Sequence, residues 1–400
     1  VYLSELFLVT FSALTCFTVL AFFFHIISPN KYIGYIAFII FVIANFFAWG
    51  GLGIESKLVQ FGVYPGYTYS DLTGFAPYTQ GLAWFGSYWT LFCALLSCVG
   101  ILLWQRGRDR GFFARIKIAA SRFKGPARTF TLLTAAAWVA VGSWVFYNTE
   151  VLNSYRTREQ ANLSRVSYET KFSELKTLAQ PRITKIKYNI DVFPKKRGVV
   201  FQGEQTIVNQ TQTPIEKLIV NVSEGFKTDV NIEGAILDEE HQDLNLRIYR
   251  FDPPMMAAAE ATMSFKVEYF PTGFENSISK LEFVQNGTFF NNSIAPTIGY
   301  QPSLEMSNAN DRKRFGLTPP EVMPPLDRNN LDARRNTYIS NSSDWVEVET
   351  IISTSADQIA IAPGSRIKKW QEGDRRYFHY KVDHPSLNFY SFVSADYQVA

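Results

Sequence analysis

The chain has 400 residues, a formal net charge of +3 and 19% charged residues. So small a net charge argues against a nucleic-acid partner held by a basic surface, and none is expected. Cys16, Cys93 and Cys98 all lie in apolar runs, which leaves the polar part with no disulfide framework and no cysteine-built zinc site.

The mean hydropathy of −0.04 averages two unlike halves. Up to Trp104, formal charges are confined to Glu5, Lys31, Glu55, Lys57 and Asp71. After Asn148 the chain is polar and broken by prolines. Residues 1–147 therefore read as a four-span α-helical membrane bundle, with spans at about 6–27, 32–49, 82–104 and 129–147. Each approaches the roughly 20 residues that cross a hydrocarbon core. Tyr32, Trp49, Trp104 and Tyr147 stand near span ends, as interfacial anchors do. No ionisable residue sits deep in a span, which argues against a proton relay here. The bilayer is the first expected partner.

Between the third and fourth spans Arg106, Arg108, Arg110, Arg115, Lys117, Arg122, Lys124 and Arg128 face one acid, Asp109. The positive-inside rule places this loop in the cytoplasm and everything after about residue 148 outside it. With Phe112, Phe113, Ile116 and Ile118 the loop is amphipathic. It could receive force from a nucleotide-hydrolysing partner; an interfacial segment on anionic lipid is the plainer reading. The outer loop at 51–81 carries Tyr64, Tyr67, Tyr69, Phe75 and Tyr78. These could line a substrate entrance, although packing at the headgroup layer is commoner. There is no initiator Met, and the last residues break off in a strand-like run, so the chain is read as a window from a longer protein.

Residues 148–181 form the expected stalk, with an amphipathic helix at 157–179 that Pro181 ends. Leu163, Val166, Phe172, Leu175 and Leu178 make its apolar stripe, and Arg165, Glu169, Lys171, Glu174 and Lys176 fall between. From residue 182 to 400 the period changes to two. Ile186, Tyr188, Ile190 and Val192 alternate with Lys187, Asn189 and Asp191. Further strand-like runs lie at 199–209, 217–222, 244–249, 263–269, 346–352, 377–382 and 389–393. They predict a mostly antiparallel β domain, a sandwich or a saddle-like sheet. An irregular insertion at 277–344 holds one short helix around 307–315, ended by Gly316.

Asp238, Glu239, Glu240 and His241 are ligand-type residues, but their spacing suits a solvated turn between strands. His379 and His384, five apart on a strand and its turn, cannot share a face. Gly273, Phe274, Glu275 and Asn276 look like a peptidase substrate-binding motif misplaced in a turn after a strand. With no His-Glu-x-x-His, Gly-x-Ser-x-Gly or phosphate loop, no catalytic, cofactor-binding or metal-binding residue is assigned.

The β domain resembles the N-terminal domain of the aminopeptidase N (gluzincin) family. The likeness rests on the strand pair 188–193 and 199–208, the strand and glycine turn at 357–364, and the closing run 391–397. Runs at 286–292, 298–301 and 311–313, with Tyr69, Ser70, Asp71 and Gly74, are similar to bacterial ABC-type exporter permeases fused to an aminopeptidase-like domain. That resemblance implies a multi-pass inner-membrane protein with a periplasmic β domain and an ABC ATPase as cytoplasmic partner. It also implies a peptide substrate, with Gln301 and Glu305 as contributors to its binding. The family's zinc, its ligands and its general base would follow Ala400, so this chain alone is expected to be inactive. The competing reading is a membrane-anchored β domain that binds a peptide or protein and regulates a transporter without catalysis.

Overall fold

The computed structural model describes residues 9–104, 112–153, 155–277, 280–319, 327–330 and 342–398. The expected start of the first span, Arg106, Arg108 and Arg110 of the basic loop, and positions 320–326 and 331–341 of the insertion lie outside the described residues. The chain divides into two compact units: Val1–Thr157 with Thr272–Ser279, and Arg158–Pro271 with Lys280–Ala400.

The first unit is helical: α1 (Phe11–Ile27), α2 (Lys31–Gly51), α3 (Thr79–Leu103), α4 (Phe112–Arg122) and α5 (Gly125–Phe146), the last continued by a π-helical turn, Tyr147–Leu152. Among the described residues three helices are long and apolar enough to cross a membrane: Lys31–Gly51, Thr79–Leu103 and Gly125–Leu152. The helix at the expected first span, α1, has 17 described residues and falls short of that length. Asn30 caps α2 by accepting from Ile33 N–H at 3.0 Å. Along α2, Ile36, Ile40, Ile43 and Phe47 stay exposed. Such an apolar outer face suits hydrocarbon and not water.

Polar side chains organise the interior of this unit. Asn45 Nδ2 donates to Phe61 O at 3.0 Å, and Asn45 Oδ1 accepts from Phe61 N–H at 2.9 Å and Trp49 Nε1 at 3.2 Å. The amide thereby fixes both main-chain groups of Phe61, whose ring packs edge-on against Phe17, Phe41, Trp89 and Phe92. In α4, Arg115 donates to Ile26 O and Arg122 to Trp104 O at 2.8 Å. The two guanidiniums meet the carbonyl ends of α1 and α3, where a helix dipole favours positive charge.

The Gly273–Asn276 motif does follow a strand, but it is built into this helical unit. Phe274 is buried with Phe85 and Val145. Asn276 Oδ1 accepts from Lys57 N–H at 2.8 Å while its Nδ2 donates to Glu55 O at 3.2 Å. Asn153 Nδ2 donates to Thr272 O at 2.8 Å and Phe274 O at 3.1 Å. Gly273 has φ +63, and a Cβ there would stand 2.1 Å from Asn148 Oδ1, so only glycine fits.

The second unit opens with α6 (Arg158–Phe172) and a 3₁₀ turn, Ser173–Thr177, so the α-helix ends earlier than the 157–179 expected. Its strands begin with β1 (Arg182–Phe193), β2 (Gly198–Val208), β3 (Ile215–Asn221), β4 (Lys227–Ile232), β5 (Ala235–His241), β6 (Leu246–Met255) and β7 (Glu260–Tyr269). There follow β8 (Thr288–Asn291), β9 (Thr297–Ile298), the helix α7 (Ala309–Arg314), β10 (Ser343–Ser355), β11 (Ile359–Ile361), β12 (Ser365–Glu372), β13 (Arg375–Lys381) and β14 (Ser391–Ala395). They form a seven-stranded sheet ordered β12-β13-β10-β1-β2-β7-β4, a four-stranded sheet β5-β6-β3-β9 and a three-stranded sheet β11-β14-β8. Pairing is antiparallel except for β1 with β10, a parallel contact that the long insertion between them allows.

Ile186, Tyr188, Ile190 and Val192 are buried as the alternation predicts. All three sheets contribute to one core, in which Phe201 packs against Tyr188, Phe265, Phe290 and Phe392. The turn expected at 238–241 is instead part of strand β5. Its charges are accommodated on an exposed edge strand, where Glu240 pairs in register with Arg247 at 2.8 Å.

Candidate functional site

The segment carrying Gln301 and Glu305 lies against α6. It leaves β9, passes through a 3₁₀ turn, Pro302–Leu304, and enters α7. Asn308 caps α7 by accepting from Asn310 N–H at 2.9 Å and Asp311 N–H at 3.1 Å, and Gly316 at φ +70 ends it.

Helix α6 supplies a partner at nearly every turn of this segment. Gln301 N–H donates to Tyr168 Oη at 2.9 Å, and Tyr168 Oη donates to Asn221 Oδ1 at 3.3 Å. The Gln301 side chain folds back, its Nε2 donating to Ile298 O at 3.2 Å and Gly299 O at 3.3 Å. Glu305 pairs with Lys176 at 2.8 Å, and the same ammonium lies 5.4 Å from the centre of the Tyr300 ring. Arg165 donates to Glu305 O at 3.2 Å. Arg312 makes a two-pronged pair with Glu169, Nη1 to Oε2 at 2.9 Å and Nη2 to Oε1 at 2.6 Å, with Arg312 3% and Glu169 9% exposed. Arg312 Nη1 also donates to Met306 O at 2.6 Å. The outermost rung, Arg314 with Glu159 at 2.6 Å, is exposed and contributes little.

The buried face of α6 is thus Tyr168, Glu169 and Phe172, and its two aromatics join Ile219, Leu244, Leu246, Ile248 and Tyr300. Leu163 and Leu178, expected in the apolar stripe, are exposed. Glu169 and Arg312 were not singled out as a pair from sequence. A signal existed: Glu169 occupies the slot three after Val166 and three before Phe172, where the stripe calls for an apolar residue.

Burial pushes the Tyr168 phenol up to about 12; the Glu305 charge adds to this and the bond from Gln301 N–H opposes it. Burial, then Glu305, pushes Tyr300 up as well. A phenol whose folded pKa exceeds its unfolded value stabilises the fold fully below about pH 10, and that contribution is lost as pH rises toward about 12. Stability of the second unit is therefore expected to fall between about pH 10 and 12 by a few kcal/mol. Tyr168→Phe, compared with the unaltered chain by urea unfolding, should flatten that fall; an unchanged slope would count against it.

Among the described residues no group of three or more His, Cys, Asp or Glu could hold a metal ion. His379 is paired with Glu349 at 2.7 Å, and His241 with Glu239 at 3.1 Å. The zinc implied by resemblance does not fit the described residues of this chain.

Three of the runs on which the two resemblances rest come together in space. Residues 286–292 supply β8, 357–364 supply β11 and 391–397 supply β14, and these three strands are one sheet. Phe392 stands opposite Phe290, and Val393 lies between Ile361 and Phe289. In the loop between α2 and α3, Ser70 and Gly74 close a tight turn by pairing with each other.

No protein-family model matches the chain, and no curated protein does. Among solved structures, an M1 zinc metallopeptidase from Deinococcus radiodurans is similar at 10% identity and a TM-score of 0.33, over 54% of this chain and 42% of that one. A variant of that enzyme bound to a Tyr-Ser-Ala substrate is similar at 10% identity and a TM-score of 0.32. The chain thus spans about two fifths of the length of the enzymes it is similar to.

Proposed function

We propose that this chain is part of an inner-membrane permease–aminopeptidase fusion. The helices would be the end of an ABC-exporter membrane domain, with α1 as a fourth span, working with a separate ATPase. The β domain would be the periplasmic, non-catalytic front of a zinc peptidase. The observation that carries this reading is the three-stranded sheet, in which two runs that resemble the peptidase family, β11 and β14, pair with β8 from a run similar to the permease-fused group. In this reading the clamped segment at 300–315 would carry Gln301 and Glu305 toward the substrate, and both would have to leave their present partners to reach it. The described residues bind and orient; no step of hydrolysis is assigned to them.

Two measurements test it. The product of the native reading frame, purified whole, should release amino acids from amino-acyl anilides, lose that activity to a chelator and regain it with zinc, while residues 1–400 alone release none. A native product with no chelator-sensitive aminopeptidase activity would leave the regulatory binding module as the better reading. For topology, Val230→Cys should react with a membrane-impermeant thiol reagent in cells whose inner membrane is intact. Labelling only after lysis would sink the periplasmic placement.

A further inference from the structure

Within the second unit a pocket of about 460 Å³ lies beside β1 and β2, next to the chain that leads into β9. Its volume falls in the range of small-ligand sites. Two polar atoms of its wall are buried with no hydrogen bond of normal geometry: Tyr188 Oη, on a residue 1% exposed that faces the Asn292 and Gln205 amides, and Gln205 Oε1, on a residue 2% exposed. Register explains why they meet. Tyr188 pairs with Gly203 and Ile186 with Gln205, so Tyr188 and Gln205 are diagonal neighbours on one face of the sheet. Buried polar atoms in folded proteins are ordinarily matched, so an unmatched hydroxyl and carbonyl at a cavity wall point to a partner from outside.

The lining narrows the partner's chemistry. The described residues around the pocket include no Lys, Arg or His and one carboxylate, Glu224, which disfavours phosphates and carboxylates as ligands. Several other polar groups of the wall are already engaged. Asn221 Nδ2 donates to Gly299 O at 2.7 Å, and Asn292 Nδ2 donates to Asn388 Oδ1 at 2.8 Å while its Oδ1 accepts from Tyr390 N–H at 3.0 Å. Ser223 Oγ donates to Ser293 O at 3.0 Å. A secondary amide needs one donor and one acceptor, and Tyr188 and Gln205 offer these. Ile183, Leu244, Ala295, Pro296 and Phe389 add apolar surface for a flanking side chain.

We propose that this pocket binds a neutral peptide segment through one main-chain amide, its C=O accepting from Tyr188 O–H and its N–H donating to Gln205 Oε1. The start of the clamped segment, Gln301 to Leu304, forms one side of this pocket, and binding there requires no peptidase activity.

The test is calorimetric titration of N-acetyl-Ala-Leu-Ala-amide into the whole chain in detergent micelles. Saturable binding is expected, weakened about tenfold by Tyr188→Phe or Gln205→Met, as loss of one hydrogen bond implies. Ser303→Trp, at an exposed position of the rim, should block binding without touching the core. Tyr188→Phe should leave the unfolding midpoint unchanged or raised, because it deletes an unmatched hydroxyl. No saturable heat with the unaltered chain, or full affinity in both wall variants, overturns the proposal. So does binding of N-acetylglucosamine oligomers in place of the peptide. A lowered midpoint in Tyr188→Phe with no peptide heat would mean that ordered water alone fills the pocket, and would equally overturn it.

Discussion

Arg312→Met should destabilise the second unit by roughly 3–5 kcal/mol, because it strands the Glu169 carboxylate in a site closed to water. Two short bonds tie the pair, and Arg312 also serves Met306 O, so one truncation leaves several buried acceptors unmatched. Removing both charges is a different experiment. In Glu169→Leu with Arg312→Met neither charge remains to be desolvated, and most of the lost stability should return. Urea unfolding of the single and double variants measures this directly. A single variant within about 1 kcal/mol of the unaltered chain would contradict it, since exposed pairs behave that way. The consequence for the candidate site is geometric: without the pair, the turn that bears Gln301 and Glu305 loses its deepest anchor to α6.

Asn45→Leu is the second substitution with a large expected effect. It replaces a buried amide that makes three hydrogen bonds, two of them to the main chain of Phe61. Leucine fits the volume, but the N–H and C=O of Phe61 would then lie unmatched among aromatic rings, at a cost of roughly 2–4 kcal/mol. Trp49→Phe is the control: it removes one of the three bonds and should cost about 1 kcal/mol through that loss. Thermal unfolding in detergent, followed by tryptophan fluorescence, separates them, and equal midpoints for the two variants would refute the role given to Asn45.

What could be read from the chain alone follows from how strongly burial marks each residue. Strand β1 was legible because one face is buried and the other solvated, giving clean alternation from Ile186 to Val192. Strand β12 was not: nearly all of Ser365–Glu372 is exposed, so no period marks it. Strand β5 was hidden by its run of charges, which suit a turn equally well until the partner strand is known. The parallel pairing of β1 with β10 depends on residues more than 150 positions apart, for example Lys187 with Glu349, and no local pattern encodes it. In the candidate site, Gln301 and Glu305 could be named from sequence, whereas Tyr168, Glu169 and Lys176 could not be assigned to them. Such pairings depend on where α6 lies against the β domain, which is set by packing.

The placement of Thr272–Ser279 bears on how the protein is made and cut. A ribosome adds about 5–20 residues per second. Residues up to Thr157 therefore wait several seconds for the segment whose Asn276 completes the hydrogen bonding of Glu55 and Lys57. Through that interval the loop at 55–57 stands without the Asn276 amide, a natural point for a chaperone to engage. Severing the gene after residue 157 would make that interval permanent. A defect in such a truncation would therefore report an unfinished helical unit as readily as a missing β domain.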